Sequence, residues 1–135
     1  MGTNSIDWGL LYKRLGEFQE KLVIPGNTPA SFQRSLDSAY YVQQQVTIAH
    51  NLLLQKRADV ESNLLGLRTE AKLHSSGFNI ENGIHTKISE AAAFIVQCEA
   101  LILCMNKVLA ACKDLRNDVS KRVKLMELER VFEKD

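Results

Sequence analysis

The groups in this sequence best suited to chemistry are basic, and they collect in two places. Arg68, Lys72 and Lys87 flank a stretch that contains Phe78, with His74 and His85 nearby and Glu70 and Glu81 as the opposing charges. Cations beside an exposed aromatic ring can hold a single nucleic-acid strand, the charges on phosphates and the ring under a base. A second basic set, Lys121, Arg122 and Lys124, follows Lys113 and Arg116. Either set alone also reads as an ordinary charged helix face. Repeated around an oligomer, a modest patch becomes a continuous basic track.

Other chemistry is sparsely supplied. His74 and His85 flank the same turn with Glu81 between them, but two histidines without a third close ligand do not define a metal site. Neither a metal nor a cofactor is expected. Cys98, Cys104 and Cys112 fit no CxxC or CxxxC pattern and fall inside an apolar stretch, so they read as core thiols; a Cys98–His50 nucleophile and base is the weaker alternative. There is no GxGxxG, P-loop, HExxH or nucleophile elbow, which points to a non-enzymatic protein. With 17 Lys plus Arg against 16 Asp plus Glu, the formal charge of +1 excludes an overall polycation and leaves any nucleic-acid role to local patches. The amino terminus MGTNSIDWGLL lacks a basic region followed by an apolar run, and the cysteine number is odd; both predict a cytosolic protein.

The elements that position these groups are helical. Two prolines, both before residue 30, leave over a hundred residues free of that helix breaker. The spacing of Ile6, Leu10, Leu11, Leu15, Phe18 and Leu22 predicts a short amphipathic helix over about 6–22, with Ser5 available as its cap. Pro25-Gly26 is a turn, and Thr28-Pro29 an N-cap followed by proline in the first helical turn. A second helix over about 30–74 carries a four-three seam: Phe32, Leu36, Ala39, Gln43, Val46, His50, Leu53, Arg57, Val60, Leu64, Leu67, Ala71 and His74. Gln43, His50 and Arg57 fall on one line of that seam. Ser75 to Gly83, SSGFNIENG, predicts a loop. A third helix over about 84–132 repeats the pattern through Ile84, Ile88, Ala91, Ile95, Cys98, Ile102, Met105, Leu109, Cys112, Arg116, Val119, Val123 and Met126.

The prediction is a single all-α domain, a short leading helix followed by a long antiparallel helical hairpin. A turn centred near residue 80 would place Gln43 by Arg116 and His50 by Leu109, and would let Arg57 neutralise Glu99. The stretch Ala91 to Cys112 is apolar on almost every side, yet Gln97, Glu99, Asn106 and Lys107 argue against a membrane span. Phe94, Leu101, Val108 and Leu115 form a second stripe with no partner in the hairpin, so this stripe is the expected contact of a homo-oligomer.

This organisation resembles the small recombination-mediator proteins of tailed phages, the UvsY type. The local echoes are TEAKLHSSG, Thr69 to Gly77, and CKDLRNDVSKRVKLMELERVFE, Cys112 to Glu133, within a pattern spanning Ser31 to Glu133. By position the resemblance makes Lys72 a DNA-contacting residue. The family's neighbouring basic position falls on Glu70, and its aromatic pair on His74 and Ser75. It implies a protein that binds single-stranded DNA and helps a recombinase replace a single-strand binding protein. The alternative from the residues alone is a structural or adaptor oligomer, such as a virion or scaffold component, without nucleic-acid binding.

Overall fold

The structure is a computed structural model that describes residues 6–73 and 78–133; the side chains of 78–82 are not among those described. It consists of α1 (Trp8–Glu20), α2 (Pro29–Leu73) and α3 (Phe78–Glu133), and the described residues contain no strand. At 1.5 Å per residue the 45 residues of α2 and 56 of α3 span about 68 and 84 Å.

Local chemistry starts each helix. Asp7, not Ser5, caps α1: its carboxylate accepts from the Leu10 amide at 3.0 Å, and Ser5 lies outside the described residues. Thr28 caps α2 as expected, its hydroxyl accepting from the Ser31 amide at 3.2 Å, with Pro29 as the first helical residue. The Ser31 hydroxyl in turn accepts from the amides of Gly26 and Thr28, which fixes the bend into the helix. The start of α3 departs from the expected loop. The helix already runs through Asn79, Asn82 and Gly83, because a cost of at most about 1 kcal/mol per poor helix former is small beside the continuity of so long a helix.

Both predicted seams are the faces on which the long helices meet. From Phe32 to Ala71, and from Ile84 to Met126, every seam position is buried or half-buried; His74 lies outside the described residues. Early α2 residues meet late α3 residues. Pro29 and Phe32 line a cleft with Val123, Met126 and Arg130; Leu36 and Tyr40 meet Arg116 and Val119; and Leu53 meets Leu101 and Met105. Arg116 stacks on Tyr40, 5.4 Å from the ring centroid, one turn from the Gln43 expected beside it.

The Phe94, Leu101, Val108 and Leu115 stripe does not face outward. Within a single chain Phe94, Leu101 and Val108 are buried and Leu115 is half-buried. The cover is α1, which lies along the groove between the long helices: Trp8 packs edge-on against Phe94 at 5.4 Å, Leu11 sits by Leu53 and Leu101, and Phe18 reaches Tyr41. A thirteen-residue helix spans about 20 Å, and its large side chains extend that cover. The expected oligomer contact is therefore the docking site of the chain's own first helix.

Within α3, the segment Gly83–Glu133 is long and apolar enough to cross a membrane. Its Phe94, Cys98, Leu101, Ile102, Met105, Val108 and Cys112 are in the protein core, packed with α1 and α2.

Candidate nucleic-acid interface

The two basic sets fare differently. Arg68, Lys72 and Lys87 are exposed on separate turns near the adjoining ends of α2 and α3; Phe78 opens α3, and its side chain lies outside those described. Lys72 sits in the last turn of α2, where a cation interacts favourably with the helix dipole. Arg68 and Lys72, four residues apart, share one face of α2.

At the other end the chain builds a cleft. Leu36 and Tyr40 from α2, with Lys113, Arg116, Asn117, Val119, Ser120, Val123, Lys124 and Glu127 from α3, line it. The α3 residues at 113, 116, 117, 120 and 124 recur every three or four positions, so they share a face beside the seam. Tyr40 stands at the wall with 56% of its surface exposed, its ring already carrying the Arg116 guanidinium on one face. Arg116 Nε is buried and has no hydrogen-bond partner among the described residues, and its guanidinium is held against the Tyr40 ring. Three cations, two neutral hydrogen-bonding side chains and an exposed ring thus converge on one surface. Glu127 is the one carboxylate in the lining.

Of the second predicted set, Lys124 belongs to the cleft and Lys121 is exposed, but Arg122 does structural work. Its Nε contacts the Asp118 carboxylate at 3.3 Å, and its Nη1 donates to the Gly26 carbonyl at 3.3 Å and to Asn27 Oδ1 at 3.2 Å. It ties the turn before α2 to the late part of α3. Sequence reasoning missed Tyr40, Asn117 and Ser120. The available signal was the Tyr40-Tyr41 doublet, since one of two adjacent helical tyrosines must point away from the seam.

The other polar seam groups are quiet. Arg57 pairs with Glu61 on its own helix at 3.3 Å, not with Glu99, which is exposed. An exposed pair one helical turn apart contributes about 0.3–0.5 kcal/mol. Gln43 Oε1 and His50 Nε2 are buried without hydrogen-bond partners among the described residues, which costs stability. No group of three metal-ligating side chains forms among the described residues.

Burial raises the pKa of Cys98 and of Cys112 above the ordinary thiol value of 9.0, with Arg57 and Arg116 respectively opposing the shift. Cys104 is only half-buried. A thiol reagent at neutral pH is therefore expected to modify Cys104 first, and Cys98 and Cys112 only after denaturant is added. Simultaneous reaction of all three in the native protein would show that the core opens readily.

Comparison with family models, curated proteins and solved structures finds no match to this chain.

Proposed function

We propose that this chain is a non-enzymatic, self-associating protein of the host or cell cytoplasm, with its long helices arranged as an antiparallel hairpin. It binds single-stranded DNA and assists a recombinase in displacing a single-strand binding protein. The observation that supports strand binding is the cleft of Lys113, Arg116 and Lys124 around exposed Tyr40. Three cations spaced along a helix face suit successive phosphates, and an exposed ring suits an unstacked base of any sequence. The mediator role rests on the resemblance to UvsY-type proteins. In this reading the cleft, rather than the Arg68, Lys72 and Lys87 end, is the principal strand contact.

A second reading is a structural or adaptor protein that only assembles. Exposed Leu125, Leu128, Val131 and Phe132 near the end of α3 favour it. Fluorescence anisotropy with a labelled single-stranded oligonucleotide across a salt series separates the two. Strand binding is expected to weaken linearly on a plot of log affinity against log salt, by about 0.7 per phosphate neutralised. Absence of binding at low salt, or binding indifferent to salt, would favour the assembly reading.

A further inference from the structure

Two hollows lie where α1 rests on the long helices. The larger, about 330 Å³, is walled by Ile6, Leu10, Leu53 and Leu101, with Asp7 and Lys56 at one end. The smaller, about 230 Å³, extends the other way to Phe18 and Val46, and its polar lining side chains are Arg14 and Gln45. Leu11, Ala49, Leu52 and Met105 line both, so the two form one apolar channel between α1 and an antiparallel stretch of α2, floored by α3. Close-packed interiors leave few voids larger than a water molecule, and apolar cavities of even about 150 Å³ stay dry and admit apolar guests. The channel opens to solvent between Leu10 and Leu52, 42% and 58% exposed.

Its size and charges select the guest. One turn of a helix with its side chains, about 10 Å wide and about 5.4 Å long, fills roughly 400 Å³, more than the larger hollow holds. A slender, unbranched chain fits where a helix does not. At the Lys56 end the charges oppose each other, because Asp7 stands there too, its carboxylate also accepting from the Leu10 amide. At the Arg14 end no carboxylate lines the channel. The ion pairs among the described residues are Arg57–Glu61 and Arg122–Asp118, which leaves the exposed Arg14 guanidinium unpaired. A guanidinium beside an amide N–H donor suits a carboxylate, whose two oxygens accept paired hydrogen bonds.

We propose that this channel binds a straight-chain fatty acid, its carboxylate on Arg14 and Gln45 and its alkyl chain running past Leu11 and Met105 to Ile6. From Arg14 to Ile6 α1 advances about 12 Å, so the channel takes a medium-length chain. The site is independent of strand binding, since none of its residues lines the Tyr40 cleft.

The test is isothermal titration calorimetry of the full chain, without DNA, against hexanoate, octanoate, decanoate and dodecanoate below their micelle concentrations. One acid is expected to bind per chain, tightening about fourfold for each added methylene until the channel is filled and then levelling off. Decanol is expected to bind at least about tenfold more weakly than decanoate, and Arg14→Glu to remove that difference. Ala49→Leu, which fills the junction of the two hollows, is expected to abolish binding with unchanged helical circular dichroism. If that variant misfolds, Arg14→Glu decides alone, because Arg14 is exposed. No binding of decanoate or dodecanoate overturns the proposal, as does an affinity indifferent to chain length. Equal binding of decanol and decanoate by the parent also overturns it, leaving an apolar hollow without an acid site. Co-flotation of the chain with phosphatidylcholine vesicles, blocked by Ala49→Leu, would assign the channel to a bilayer lipid's acyl chain and overturn the free acid.

Discussion

Leu101→Asp is expected to unfold the chain, not to dissociate an assembly. Leu101 is fully buried, at the point where α1, α2 and α3 all meet through Leu11, Leu53 and Met105. Removing a buried leucine side chain alone costs about 2–5 kcal/mol. An unpaired carboxylate in the same place adds either its desolvation or the cost of holding it protonated. Their sum approaches the 5–15 kcal/mol of a typical domain. Thermal melting by circular dichroism is the measurement: loss of the cooperative transition is expected for Leu101→Asp, and a lowered transition for Leu101→Ala. Leu103→Asp is the control, because Leu103 is 63% exposed on the same helix and its replacement is expected to leave the melt nearly unchanged. Should Leu101→Asp melt like the parent and change only the sedimentation coefficient, the stripe would be an interface between chains after all.

What the sequence made legible is local periodicity, and the structure shows why. A four-three alternation constrains every residue on one helical face at once, so the burial of all described seam positions needed no knowledge of the rest of the chain. Contacts between distant segments were not legible in this way. The amphipathic pattern of Ile6 to Leu22 requires that α1 dock somewhere; only the three-dimensional groove assigns it to Phe94 and Leu101. Once α1 is there, the leftover apolar stripe disappears and the reason for placing subunits on it disappears too. Arg57 shows the same limit on a smaller scale. A partner across the helices looked necessary because the zone is apolar, yet Glu61 one turn away satisfies it at the surface. Arg122 is the converse case, a surface-type residue in sequence that closes a contact across 95 residues to Asn27. The cleft belongs to this group as well, since its aromatic wall comes from α2 and its cations from α3.

Replacing Tyr40 by leucine is expected to weaken single-stranded DNA binding by roughly tenfold, within the range of about 1–3 kcal/mol for loss of one stacked base. The exposed ring makes few demands on the core, so stability is expected to hold. Loss of a stacking surface removes no charge, and the slope of log affinity against log salt should therefore stay that of the parent. Lys113→Ala with Lys124→Ala is expected to do the opposite, lowering affinity for every sequence and reducing that slope by about 1.4, two single-strand phosphates' worth. Together the two variants separate a ring under a base from cations on a backbone, a distinction that affinity at one salt concentration would blur. Arg68→Ala with Lys72→Ala examines the other end of the long helices. If that pair abolishes binding while the Tyr40 and lysine variants bind like the parent, the strand lies at the ends of α2 and α3 near Lys72, and the cleft is only a charged surface.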